Sequence, residues 1–212
     1  MSGDSVPVTR PLFQMGEGSS ILTSPHQFRV VECSREDIQS LLEEVHYSHS
    51  INGVISDFCF ALVFNGEIWG AALFGRPAMA NQWKAYTDDP KKFVELRRLV
   101  CTDAAPKNSE SFFISKCLKL LRRYKVEKVI SYADEEYGHT GIIYRATNFK
   151  YLGTTPKGKV IWWEGKKYHD KTVRTKYKGV LKPFAIKVKD ALESGHAAFR
   201  ATKPKHIYLY SL

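Results

Sequence analysis

Cysteine is scarce in this chain and scattered: Cys33, Cys59, Cys101 and Cys117 are the only 4 in 212 residues. No two stand at CxxC spacing, so neither a zinc knuckle nor a dithiol redox centre is encoded. Each lies in an apolar stretch and reads as a small buried hydrophobe of a reducing compartment. No apolar run approaches the ~20 residues that cross a bilayer, which excludes a membrane-spanning helix and argues for no membrane partner. The opening MSGDSVPVTRPLFQMGEGSS lacks the charged-then-apolar order of a secretory signal, and its Ser, Gly and Pro content reads as a flexible arm over residues 1–25. Export is not expected. Internal repeats and low-complexity runs are absent. Acidic residues are a minority too: 22 Asp and Glu face 32 Lys and Arg, giving a net charge of +10. That excess favours a polyanionic partner.

What is present suits one substantial core. Hydrophobic residues make up 43% and charged residues 25% of the chain, ordinary globular values. Gln27 to Cys33 alternates like a strand, and Ser34 with Asp37 forms a capping-box-like start to a helix ending near Tyr47. Ile38, Leu41, Leu42 and Val45 make its core stripe. Two apolar runs, Phe58 to Phe64 and Glu67 to Phe74, flank Asn65-Gly66, a strong hairpin signal. Phe93 to Cys101 reads as a strand carrying Glu95, Arg97 and Arg98, and Ser111 to Tyr124 as a helix. Arg97 and Arg98, as neighbours on a strand, point to opposite faces, so one of them enters a covered region and needs a carboxylate or phosphate. The element order predicts an α/β, or α+β, mixed sheet covered by helices. The expected division is a catalytic core over 26–165 and a basic C-terminal extension over 166–212 that packs on the core and contacts DNA.

VISYADEEYGHTGIIYRATNFKYLG, from Val129 to Gly153, concentrates the chemistry. A β-branched strand ends at Asp134, where side chains emerge from a sheet edge. A helix over His139 to Thr147 follows, with Ile142, Ile143 and Ala146 lining its buried side and Tyr144 part-way round it. Asn148 closes it in the left-handed conformation. Further on, Lys157 to Gly179 interleaves cations with Trp162, Trp163, Tyr168 and Tyr177. Val160 to Trp163 is assigned to the core. Lys166, Lys167, Lys171, Arg174, Lys176 and Lys178 are assigned to nucleic-acid phosphates. Phe184 to Leu192 forms a short amphipathic segment.

The element order, with YRATNF from Tyr144 to Phe149, resembles the GNAT superfamily, whose members bind acyl-coenzyme A between splayed strands and acylate an amine. Its glycine-rich pyrophosphate loop is absent; APKNSESFF stands there instead. Asn108, Ser109 and Ser111 at that helix start offer either anion donors or simple caps. HYSH (His46 to His49), LRRL (Leu96 to Leu99), PKNSESFFI, YADEEYGHTGIIYRATNFKYLG and YHDKTVRTKYKG together resemble the phage Mom family, which converts adenine in DNA to its N6-methylcarbamoyl form and protects phage DNA from restriction. The resemblance implies catalytic roles for Asp134, Tyr144, Arg98, His46 and Tyr47. It also implies donor contacts from Ser111, Ser109, Asn108, Leu99 and Val100. The donor would be acetyl-CoA or a related acyl donor, the partner double-stranded DNA with its adenine flipped out, and the setting a bacterial host's cytoplasm, with a homodimer as one assembly.

Two readings stand for several of these residues. Tyr144 protonates a departing thiolate or merely packs. Asp134 pairs with Arg98 or accepts a hydrogen bond from the adenine amino group. His46 and His49, three apart, join Asp134 in an iron site or only close their helix. The alternative functions are a GNAT-type N-acetyltransferase acting on a protein or small amine, and a DNA-binding module without activity.

Overall fold

The computed structural model describes residues 21–212 except 48–50, 52 and 80. Most of the expected arm over 1–25 therefore lies outside the described residues, as does His49. In chain order the elements are β1 (Arg29–Glu32), α1 (Arg35–Val45), β2 (Phe58–Phe64), β3 (Glu67–Gly75), β4 (Phe93–Cys101), α2 (Ser109–Leu121), β5 (Lys128–Asp134), α3 (Ile142–Ala146) and β6 (Lys150–Thr154). There follow β7 (Lys159–Trp163), β8 (Lys166–His169), β9 (Lys176–Tyr177), β10 (Val180–Leu181), α4 (Pro183–Glu193), β11 (Ala198–Ala201) and β12 (Lys205–Ser211).

The chain forms two compact units. The first comprises the chain up to Tyr132, Gly141–Leu152 and Ile207–Leu212; the second comprises Ala133–Thr140 and Gly153–His206. A mixed seven-stranded sheet in the order β1-β2-β3-β4-β5-β12-β6 builds the first. Local chemistry explains its edges. Ser34 and Asp37 form a reciprocal capping box at the start of α1, and Asn65 and Gly66 both adopt positive φ in the β2-β3 turn. On one face of the hairpin Ala61, Val63, Ala71 and Leu73 cluster with Ile38 and Leu42 of α1. Phe60, Leu62, Ala72 and Phe74 alternate with them and are fully buried as well, so both faces of the hairpin are covered. Val45, expected in the core stripe, is 37% exposed because α1 ends there.

The positioning feature lies between β4 and β5. These parallel strands pair only over Phe93–Lys128, Val94–Val129 and Glu95–Ile130, then continue separately to Cys101 and Asp134. Beyond Glu95 the backbone groups of β4 that face β5 lack a ladder partner, which leaves hydrogen-bonding edges directed into the gap. On its other side β4 bulges against β3. Arg98 opposes Leu73 and Leu96 opposes Phe74, leaving Arg97 as the extra residue.

In the second unit a three-stranded sheet, β11-β7-β8, packs one face on α4. Ile161, Val188, Ala191 and Ala197 form its small core, with Trp163, Tyr168, Val173 and Leu192 against it. The expected amphipathic segment is thus a helix, and its apolar side is used.

The cysteines are free thiols, and burial pushes them upward in pKa: Cys33 goes from 9.0 to about 12, and Cys59, Cys101 and Cys117 also rise. The folded state therefore holds these thiols neutral while the unfolded chain ionises them. Stability is complete below about pH 9 and falls as pH climbs from 9 toward 12. Urea midpoints at pH 8 and pH 10.5 will show a drop of about 2 kcal/mol per fully buried thiol. Cys117→Ala flattens that fall.

Candidate functional site

Tyr144 sits in the first unit, on the five-residue helix α3. The helix starts at Gly141, whose φ is +79°. A Cβ there would lie 2.2 Å from the ring of Tyr208, a fully buried residue of β12. Only glycine satisfies both demands. Gly141→Ala is accordingly expected to cost about 2–4 kcal/mol by overpacking and backbone strain, read as a lower urea midpoint.

The helix presents Tyr144 and Thr147 inward, whereas Ile142 is 71% exposed and Ala146 is exposed. The expected apolar face of Ile142 and Ala146 is therefore not the buried one. Phe149 and Tyr208 explain the phase: their rings lie 5.4 and 5.2 Å from that of Tyr144 and clamp it from both sides. Asn148 closes the turn with φ 63°, as its residue type foretells.

The Tyr144 hydroxyl hydrogen-bonds Ser131, a fully buried residue of β5 whose own hydroxyl lies 3.5 Å from the Leu96 carbonyl of β4. Both residues stand just past the last β4-β5 pair, so the phenol is delivered where the strands part. Burial pushes its pKa to about 12; the Ser131 hydrogen bond opposes the shift, and Tyr47, Glu95 and Tyr208 add to it. Tyr144 is thus a neutral donor at any ordinary pH.

Arg98 joins this cluster. Its guanidinium donates to the Arg97 carbonyl at 2.7 Å. Burial lowers its pKa while Tyr47 and Glu95 support the charge. Its neighbour Arg97 pairs with Glu95 at 3.0 Å, their side chains 15% and 12% exposed. The carboxylate demanded by an inward arginine is thus met two residues back on the same strand. His46 caps the end of α1 and is buried, with the Tyr47 ring beside it, tilted by 32° at 4.2 Å between centroids. Tyr47, Arg98 and Tyr144 therefore share the first unit, where Tyr47 affects the proton affinities of the other two.

Asp134 belongs to the second unit. It is 8% exposed. One oxygen accepts from the Glu136 N–H at 3.1 Å, and the other meets the Lys205 ammonium at 2.7 Å. The turn it caps also receives the His139 N–H on the Asp134 carbonyl. Among the described residues no group of three or more His, Cys, Asp and Glu is placed to hold a metal ion. His46 and Asp134 lie in different units, and His49 is outside the described residues.

At the start of α2, Asn108 takes the left-handed conformation with φ 70° and makes no side-chain cap. That is the backbone freedom a glycine loop would supply. The Ser109 hydroxyl, fully buried, donates to the Pro106 carbonyl at 2.6 Å, and that of Ser111 donates to the Asn108 carbonyl at 3.0 Å. The Ser109 N–H is itself bonded to the Pro106 carbonyl at 3.1 Å, so what this helix start offers an anion is the backbone N–H groups that follow it. Leu99 and Val100 lie on the part of β4 beyond its pairing with β5. These backbone donors, on the unpaired edge of β4 and at the start of α2, are of the kind that a thioester chain and its phosphates would need. A separate open concavity of 510 Å³, lined by Phe28, Arg29, Lys116, Lys119 and Arg123 among others, carries cations but no carboxylate, hydroxyl, thiol or imidazole.

Of the assigned phosphate contacts, Lys166, Lys167, Lys171, Lys176 and Lys178 are exposed in the second unit. Arg174 is also exposed, but its charge is shared with Asp170. Sequence reasoning missed Ser131, Tyr208 and Lys205. Ser131 left a faint trace as a small hydroxyl residue between Ile130 and Tyr132 in a β-branched and aromatic run; the other two left none.

Residues 27–212 match the model of the Mom protein family. The methylcarbamoylase mom of Escherichia phage Mu is 30% identical over 180 residues, covering 81% of this chain and 72% of that protein. Among solved structures, the IAA acetyltransferase of Bacillus cereus superposes with TM-score 0.52 at 10% identity, over 87% of this chain and 99% of its own. A Bacillus subtilis acetyltransferase in complex with CoA gives 0.50 at 10% identity, over 88% and 98%. The fold is thus GNAT-like, its C-terminal strand β12 lying inside the main sheet between β5 and β6, and the chain belongs to the Mom protein family.

Proposed function

We propose that this chain is a transferase that modifies adenine in double-stranded DNA to its N6-methylcarbamoyl form, protecting phage DNA from restriction in the bacterial host's cytoplasm. The observation that carries the reading is its 30% identity to a methylcarbamoylase over most of both chains. The parted strands of a GNAT-like sheet, with Tyr47, Arg98 and Tyr144 beside the gap, support it. A +10 chain suits a polyanionic substrate.

Each residue has a task within this reading. The backbone of Leu99 and Val100 and the N–H groups opening α2, around Asn108, Ser109 and Ser111, would hold an acyl-coenzyme A. Bound there, that donor supplies an activated two-carbon unit on a thiol leaving group. Tyr144 holds a proton at the departing sulfur, and Arg98 balances charge beside it. Asp134 accepts the proton of the adenine amino group, whose lone pair is delocalised into the ring and is a poor nucleophile unaided. The amino group must first leave the helix stack, so the base is extruded. The product's N–CH2–C(=O)–NH2 group needs, besides loss of the thiol, a nitrogen donor for its amide and a two-electron oxidant at the CH2 carbon, both brought by co-reactants; the residues of this chain are assigned only to holding the donor and to the proton positions at sulfur and at the amino group.

Expression in bacteria, followed by digestion of their DNA and mass spectrometry of the nucleosides, tests the reading. A deoxyadenosine heavier by the methylcarbamoyl group is expected. An acetylated protein or amine with unmodified DNA would favour an ordinary acetyltransferase, and neither product would favour an inactive binding module. Lys171→Ala should weaken DNA binding evenly across sequences and reduce the slope of log affinity against log salt by about one.

A further inference from the structure

The helix-covered face of the second unit's sheet accounts for Ile161, Trp163 and Tyr168. Strand alternation sends their neighbours the other way. Trp162 stands opposite Ala198 and Lys167, and Val160 opposite Arg200 and His169. These six residues therefore share the outer face. Lys167, His169, Ala198 and Arg200 are exposed and Trp162 is half-buried.

Two contacts organise this face. The Arg200 guanidinium carbon lies 4.5 Å from the centroid of the Trp162 ring. The Lys167 ammonium lies 5.6 Å from the ring of Tyr137, itself 45% exposed. None of the six is acidic; the nearest carboxylate by sequence, Asp170, is taken by His169 at 2.7 Å and by Arg174. An arginine held on a tryptophan has less freedom to lose on binding. It offers a planar surface to a base and N–H groups to a phosphate.

We propose that this face is a stacking platform for unpaired DNA, in which a base of an opened strand rests on the Trp162–Arg200 pair while Lys167 contacts its phosphate. The proposal rests on the DNA-substrate reading and deepens it. Extruding an adenine exposes neighbouring bases, and a sequence-tolerant stacking surface would hold the opened strand. Charge and aromatic content together favour this occupant over a folded acidic protein, which presents no bases to stack.

Fluorescence anisotropy with a fully paired DNA duplex, and with the same duplex carrying a short unpaired bulge, tests it. The full-length protein should bind the bulged DNA more tightly. Trp162→Leu and Arg200→Lys should each weaken bulge binding about tenfold, within the range of one stacked base, and paired-duplex binding by less than about twofold. Arg200→Lys keeps the charge and removes only the planar group, and thermal melts confirm that both variants fold. Full binding by Arg200→Lys, equal losses on the two DNAs, or no bulge preference in the parent protein would overturn the platform. Nucleoside analysis of the parent protein separates the two readings. Absence of modified adenine defeats the proposed function, whereas loss of bulge preference in a protein that still modifies adenine defeats only the platform.

Discussion

Tyr144→Phe is expected to lower the rate of adenine modification by about 10²–10³-fold, the usual cost of removing one preorganised donor, while DNA affinity changes less than about twofold. The phenol is 7% exposed and held by Ser131. With its pKa pushed to about 12, full proton release to a thiolate of ordinary pKa near 8.5 would run uphill by roughly 5 kcal/mol. Tyr144 therefore acts by sharing its hydrogen with the departing sulfur rather than as a reservoir of protons. The rate should accordingly show no Tyr144-dependent limb below pH 10, and parent and variant should have parallel pH profiles there. Phenylalanine keeps the contacts with Phe149 and Tyr208, so the stability loss should stay near 1 kcal/mol, the worth of one hydrogen bond. Ser131→Ala retains the phenol and frees its orientation; it should lose less rate than Tyr144→Phe. A Tyr144→Phe rate within about threefold of the parent, too small for a lost donor, would reduce the residue to packing.

Local signals carried far in this chain. The Asn65-Gly66 turn, the Ser34 capping box, the left-handed Asn148 and the bounds of β4 all follow from short-range stereochemistry. Each needs only its neighbours in sequence. The phase of α3 does not. A helix of five residues has too few positions to display a period, and its buried side is chosen by Tyr208, a residue of a distant strand. The same applies to Asp134, whose position at a strand end was legible but whose partner, Lys205, arrives from β12. Arg97 and Arg98 show a third kind of limit: alternation predicts opposite faces, and a bulge resets the alternation. In Val160 to Trp163 the period of two was present, and assigning the whole run to the core overlooked what it says about Trp162.

Asp134→Asn should abolish modification, by about 10³-fold or more within the range of a lost general base, with the fold intact. Asparagine preserves an oxygen for the Glu136 N–H, so the turn after β5 keeps its cap. What it loses is the negative charge, and with it the capacity to take the adenine's proton. Asp134→Ala removes the cap as well, costing about 1 kcal/mol more. Comparing the two variants separates chemistry from stability. Lys205 is 47% exposed and its pair with Asp134 is worth little to stability, about 0–1 kcal/mol. Lys205→Met should thus leave the urea midpoint nearly unchanged yet slow modification, because the carboxylate loses the contact that fixes its orientation. If Asp134→Asn modified adenine at the parent rate under single-turnover conditions, Asp134 would be a capping residue paired with Lys205, and the proton would have to leave by another group.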